Sequence, residues 1–549
     1  MTHAEDTPSL PIPVRRRWLC IAYAFPPIRR SGTHRTLGFV RHLSEWGWEA
    51  TVLTVEPGDE PIDDQLLREV PSSTRIVRTG WIDWVAALKR RFTMGAGRTR
   101  RRSSTITARI ATALPAQEPR ASACGSYGAI RTPPNASRTL RDWVSRFLQT
   151  PDSRLGWLVP AVRAGIRAAR QDRAEVIYST SPYATAHLIA MVVASWTRKP
   201  WIADFRDPWV DNPFRDLPRA SLRRWDAFLE LRVLRRASRI VCATPTMTAR
   251  LIERYPKLRG KCTTILNGFD AARFANPMPL RDEDRDACVL VHAGQFYGSR
   301  SPVAWFRAVR AANGSGFGGR PIRLHLIGPS HYDGRSLSEL AHEAGAGSAV
   351  RVLGERSHAE TLARIAGADG VLLPTASGEG AHLQVPNKLF EYLALRRPIL
   401  AAADSASPVR TVLRDACADA AVVDPDDTDA MAAAMIRLSG QGAFEGSDAG
   451  SNGDAWSNVD AFSRVHRAGE LLELFEELSS NAARIDPRVL GIAEKNVARA
   501  ARLHRDSDST PGRRVDLPAR TRAHGAGRTM GSVAIMDQNG RAVRPPPSQ

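Results

Sequence analysis

The feature that most narrows the fold of this chain is an alternation of two periodicities that runs along it twice. Short apolar runs take turns with longer stretches whose apolar residues recur at helical spacing. The first run, Trp18–Phe25, stops at Pro26-Pro27 and a polar loop, Ile28–Gly32. Leu37, Val40, Leu43 and Trp46 then keep helical spacing, Gly47 closes the helix, and Ala50–Val55 is a second buried strand. Further on, a helix over Trp157–Ala169 leads to strand Val176–Ser179, helix Ala184–Thr197, strand Pro200–Asp204, a helix ending near Arg236 and strand Arg239–Ala243. The pattern lapses over a charged linker, Pro277–Asp286, and restarts. Strands are expected at 288–293, 323–327, 350–353, 370–374 and 398–402, with helices at 302–312, 359–366 and 386–395. Strands separated by helices form parallel sheets covered on both faces, so the expectation is an α/β fold of two Rossmann-like, doubly wound domains facing across a cleft. A last amphipathic helix, Phe462–Leu478, is expected to cross back to the first domain.

The domain plan follows. Residues 14–276 form the first domain, 277–287 the linker, 288–440 the second domain, 441–458 a Gly/Ser/Asp-rich connection and 459–480 the crossing helix. Residues 1–13 and the Arg/Pro/Gly-rich tail, 481–549, lack apolar periodicity and read as disordered. A stretch over about 90–150 reads as a mobile insertion. No apolar run approaches the 20 residues of a spanning helix, and the acidic, Pro-rich start does not read as a secretory signal, so a cytoplasmic protein is expected. Six dispersed cysteines suit buried thiols, and no metal site is implied.

The net charge of +20 admits three partners: nucleic acid, an anionic membrane face or phosphorylated substrates. Between Lys89 and Arg109 stand eight basic residues and no acid, just after Trp81 and Trp84. That Trp81–Arg109 region reads as an interfacial patch, peripheral on an anionic membrane surface, since aromatic rings beside cations suit an interface. The charge lies outside any helix-turn-helix, zinc or RNP pattern, so nucleic acid is not the expected partner.

The chemistry concentrates in Pro386–Tyr392, PNKLFEY. Pro suits the first helical turn, and Asn387 and Lys388 follow in that turn. Unpaired amides, the helix dipole and the Lys388 charge make a natural diphosphate site. Glu391, three residues on, shares the face of Lys388 and can accept from both ribose hydroxyls. An ordinary surface Lys–Glu pair is the competing account. The Gly378–Gly380 loop before the helix argues against it, because it places the helix start at the carboxyl edge of the sheet.

These residues resemble the P-x-K-x-F-E-Y signature of family-4-like GT-B glycosyltransferases. Phe25-Pro26-Pro27 through Arg35 resembles the first loop of that family, WIADFRDPW at 201–209 resembles the D-F-R-D-x-W run of a subgroup associated with surface polysaccharides, and Asn267–Asp270 matches an N-G-x-D hinge entry. The resemblance implies a retaining transferase. It would move a sugar from a nucleoside-diphosphate sugar to a hydroxyl of a glycan or polyprenyl-linked acceptor, with no cofactor or metal. It also implies that Arg300 clamps the leaving diphosphate beside Lys388, and it places Gly32, Gly294, Pro386, Asn387, Leu353 and Glu391 among the nucleotide-binding positions. His187 and Asp207 are candidates for acid–base or acceptor-positioning roles. A solvated loop arginine at 300, a core histidine at 187 and a structural Asp–Arg pair among Asp204, Arg206 and Asp207, anchoring Trp209, remain the alternatives. Two departures stand out: Leu383 where the family carries an acid, and Ser31-Gly32 where it pairs glycines. A sugar-nucleotide epimerase of the same fold is the rival enzyme.

Overall fold

The computed structural model describes residues 15–82, 147, 149–441 and 456–479, apart from 213, 214, 216, 218, 275, 276, 282, 283 and 379. The expected disordered ends, most of the basic insertion with Trp84, and most of the Gly/Ser/Asp-rich connection lie outside the described residues.

The first sheet holds seven parallel strands in the order β3-β2-β1-β4-β5-β6-β7. They are β1 (Arg16–Ala22), β2 (Trp48–Val55), β3 (Arg75–Thr79), β4 (Val176–Thr180), β5 (Trp201–Phe205), β6 (Arg239–Cys242) and β7 (Cys262–Thr264). The central strands are buried on both faces, which is why they read as continuous apolar runs. Alternation still sorts the side chains: Leu19 and Ile21 pack into one layer, Trp18, Cys20 and Ala22 into the other. The edge strands β3 and β7 were not expected, because RIVRT and CTT are short, half-exposed and polar.

The second domain repeats the plan, with order β12-β9-β8-β13-β14-β15. Its strands are β8 (Cys288–Ala293), β9 (Ile322–Ile327), β12 (Val350–Gly354), β13 (Gly370–Pro374), β14 (Ile399–Ala402) and β15 (Ala420–Val423). A two-stranded hairpin, β10 (His331–Tyr332) and β11 (Arg335–Ser336), stands apart. The linker packs on this domain: Asp284 meets His325 at 2.8 Å and Arg281 pairs with Asp369.

The helix Arg464–Leu478 crosses back to the first domain, as expected. Phe475 stands edge-on to Trp18 and Trp48, each at 5.1 Å, and Glu476 accepts from the Trp48 indole N–H at 2.9 Å. Burying one phenyl ring this way contributes about 2–3 kcal/mol. The chain passes between the domains twice, side by side. Phe269 N–H donates to Phe462 O at 3.2 Å, and Arg464 N–H donates to Phe269 O at 2.7 Å. Among the described residues no helix is long and apolar enough to cross a membrane.

Candidate active site

The helix Asn387–Ala394 begins at the carboxyl side of β13. Leu389, Phe390, Tyr392 and Leu393 bury its inner face, and the Tyr392 hydroxyl accepts from Ala293 N–H at 3.1 Å, fixing the helix to the end of β8. Pro386 is the capping residue, extended at φ -60° and ψ 135°, and not part of the first turn as the sequence suggested. The first-turn amides of Asn387 and Lys388 therefore open the helix with no side-chain cap. Lys388 Nζ reaches Glu391 Oε2 at 2.8 Å on the outer face.

Arg300, in the loop after β8, donates to the Tyr297 hydroxyl at 2.6 Å, and its guanidinium lies 4.7 Å from the centre of that ring. Its Nε is buried without a partner, and burial lowers its pKa. With Pro374, Thr375, Ala402 and Asp426 it lines a cavity of about 210 Å³. It is thus not a solvated loop arginine.

Between these cations lies a residue that sequence reasoning missed. His292, buried at the end of β8, has Nδ1 3.1 Å from Leu372 O, and its ring packs on Phe296 at 4.4 Å. Facing a carbonyl, Nδ1 carries the proton, so Nε2 is a bare acceptor, and it has no partner. Burial, then the charges of Lys388 and Arg300, pull its pKa down to about 4. The only signal in the sequence was a polar residue inside an apolar strand.

Gly294 donates its amide to Ile327 O at 2.8 Å, and a Cβ there would meet the His292 ring at 3.3 Å. Gly328, with φ +136°, comes so close that its Cβ would lie 2.4 Å from Gly294 O. Leu353 packs against the core of the second domain as a half-buried residue and does not line the cavity. Leu383 is buried and lines a pocket with Phe205, Trp209 and Met247 of the first domain. Thr244 and Thr246 donate to the carbonyls of Leu383 and His382 at 2.9 and 2.7 Å. The position where the family carries an acid is here an apolar contact between the domains.

On the facing edge of the first sheet, Gly32 lies against Arg206: a Cβ would meet Nη1 at 2.8 Å. Asp204, fully buried, accepts from Arg35 at 2.9 and 3.0 Å, from Tyr178 at 2.6 Å and from Thr180 at 2.8 Å. Burial pushes its pKa up, but Arg35 and these hydrogen bonds outweigh it and hold the carboxyl below its ordinary value. The structural pair is therefore Asp204–Arg35. Trp209 is anchored elsewhere, donating to Asp226 at 2.8 Å. Removing either member of the buried pair strands a charge, at a cost of about 3–5 kcal/mol.

His187 and Asp207 do not come together. His187 is inaccessible, with Nδ1 2.8 Å from Ser179 Oγ and its ring stacked on Phe205 at 4.7 Å. Its apolar helix turns it into the core, where burial lowers its pKa to about 4 and leaves Nε2 without a partner, so it stands there as a neutral, buried side chain. Asp207 is half-buried, its amide 3.5 Å from Ser181 Oγ and its Oδ2 without a partner. Among the described residues no three His, Cys, Asp or Glu side chains converge as a metal set.

Two Rossmann-like domains joined by a double hinge, with a Lys–Glu helix start at the edge of the second sheet, are the architecture of a GT-B glycosyltransferase. Residues 103–273 match the profile of Glycosyltransferase Family 4 and residues 287–441 that of Glycosyl transferases group 1, together more than half of the chain. The chain carries the paired domains of the family 4/group 1 glycosyltransferases. Solved structures share the fold. A glycosyltransferase from Rickettsia africae ESF-5 matches with 11% identity and a TM-score of 0.52, over 84% of this chain and 98% of that one. Sucrose-phosphate synthase from Thermosynechococcus elongatus matches with 16% identity and a TM-score of 0.53, over 86% and 100%. HepE of Anabaena, in complex with UDP, matches with 12% identity and a TM-score of 0.51, over 84% and 100%. No curated protein matches the chain in sequence.

Proposed function

We propose that the chain is a retaining transferase that moves a sugar from a nucleoside-diphosphate sugar to a hydroxyl of a glycan or polyprenyl-linked acceptor, in surface polysaccharide synthesis. The observation that carries this reading is the Lys388–Glu391 pair at an uncapped helix start. A diphosphate arriving there draws Lys388 away from Glu391, and both carboxylate oxygens are freed for the ribose hydroxyls. The bond from the anomeric carbon to the diphosphate oxygen breaks, and the acceptor oxygen bonds to that carbon on the same face. The acceptor proton passes to the departing phosphate. Lys388 and Arg300 offset the charge that builds on the leaving group, where electrostatic stabilisation has its largest effect. No metal ion enters this scheme. The UDP bound by HepE, a structure of the same fold, supports a nucleotide donor. The bare Nε2 of His292 suits a donor-sugar hydroxyl. Trp81 and Ile82, each 40% exposed ahead of the basic stretch, suit a peripheral position on the cytoplasmic face of a membrane.

Thermal shift of the wild type against a panel of sugar nucleotides, repeated on Glu391→Ala, tests the site. The donor raises the melting temperature of the wild type, and the shift shrinks in the variant; an equal shift in both refutes the assignment. Incubating the responding donor without acceptor separates transfer from epimerisation, since only an epimerase converts it alone.

A further inference from the structure

Beside the hinge, next to the Lys388–Glu391 pair, lies a group of cationic and protonatable side chains. His34 and Gly38 stand one turn apart on the helix Ser31–Glu45 and share a face. His34 Nδ1 is 2.9 Å from Arg273 Nη1. Arg464, the first residue of the crossing helix, lays its side chain over Gly38, where a Cβ would come within 2.7 Å of its Cδ. Phe274, next to Arg273, meets the His358 ring edge-on at 6.4 Å. The first domain, the hinge, the second domain and the crossing helix thus each send one cationic or protonatable side chain to this place.

The carboxylates nearby are already engaged. Asp270 is held by Arg41 at 2.5 Å and Glu391 by Lys388 at 2.8 Å, while Glu69 stands 3.9 Å from both Arg41 and Arg273. Among the described residues no carboxylate is within ion-pair distance of Arg464. As the first residue of a 15-residue helix it also faces the positive end of the macrodipole. The local potential registers on the groups themselves. Burial, then Arg464, Arg273 and His358, push His34 down to about 3; burial, against the attraction of Asp270 and with the repulsion of Arg273, pulls Arg464 down to about 10. A half-buried cation with no carboxylate within ion-pair distance, as Arg464 is, is costly unless an anion comes to it.

We propose that His34, Arg273, His358 and Arg464 form a second anion site, next to the Lys388–Glu391 pair, that takes a phosphate group and holds the two domains together at the hinge. Arg273 donates to Nδ1 of His34, which leaves the ring proton on Nε2 as a donor for a phosphate oxygen. The guanidinium of Arg464 offers a fork for two more.

Calorimetric titration of the full chain with inorganic phosphate tests this. The wild type is expected to bind it. Arg464→Gln and Arg273→Gln should each weaken binding about tenfold or more, the value of a charge-assisted contact. Arg464→Lys should recover part of the loss. Gly38→Ala keeps every charge, displaces Arg464 and should also weaken binding; its melting curve shows whether the fold persists. Absence of phosphate binding in the wild type, or equal binding in all the folded variants, overturns the site. Repeating the titration with saturating UDP names the source: exclusion of phosphate assigns the site to the donor diphosphate, and unchanged binding assigns it to a phosphate carried by the acceptor. Failure of the donor reading is separate, since it is read from the UDP response of Glu391→Ala, whereas failure of this site is read from the phosphate response of Arg273→Gln and Arg464→Gln.

Discussion

Charged side chains in this molecule divide by whether the fold itself satisfies them. Asp204 is satisfied: Arg35, Tyr178 and Thr180 surround it, and the same Arg35 donates to Ile265 and Leu266 carbonyls at 2.9 and 2.8 Å, tying the first helix to the strand that leads into the hinge. Glu230 is not fully satisfied. It accepts from Val210 N–H at 3.0 Å and from the Tyr255 hydroxyl at 3.3 Å, with Arg254 3.7 Å away, but burial dominates and raises its pKa from 4.5 to about 7. The folded chain thus holds a proton that the unfolded chain releases. The stability linked to that proton is complete below about 4.5 and lost as pH rises through about 7. Glu230→Gln keeps an acceptor and does not titrate. Its melting temperature is expected to exceed that of the wild type at pH 8 and to match it more nearly at pH 5. At this scale the sequence was only partly legible. Lys388 and Glu391 could be found because three residues and one helix start join them. Arg35 and Asp204 are 169 residues apart, and nothing local announces their pairing.

Elements were legible in proportion to their burial. β1, β4, β5, β8, β13 and β14 are mostly apolar and almost wholly buried because sheet and helices cover both faces, and each was expected within a residue or a few. The hairpin β10–β11 had a signal that went unused, Asp333-Gly334, whose φ values of +50° and +81° are those of a tight two-residue turn. The crossing helix was legible through Leu471, Leu472, Leu474 and Phe475. Its docking and its start contribute differently: Phe475→Ala removes a ring lodged between Trp18 and Trp48 and should cost about 3–5 kcal/mol, whereas Ser463→Ala removes only the cap to His466 N–H and should cost about 1 kcal/mol. Urea denaturation of the two variants measures the difference; equal losses would mean that the aromatic contact does not hold the helix.

For the molecule as a whole, the second sheet supplies the nucleotide-type helix start and the first supplies the facing edge, while Thr244 and Thr246 hold the Leu383 loop across the gap. The repeated 3-2-1-4-5-6 order puts the carboxyl end of β13, beside the first strand β8, where a ligand is expected in a doubly wound sheet. The crossing helix completes the first domain although it is the last element described. Its attachment is therefore one of surface fit, and covalent continuity with the second domain is not what seats it. A fragment ending at Gln441 and a fragment beginning at Trp456 should recognise each other when mixed, co-elute on gel filtration and regain the nucleotide response of the intact chain. The first domain of this enzyme is in effect assembled from two segments of the polypeptide that flank the second domain, so a nascent chain cannot finish its earlier half until the later half has been made.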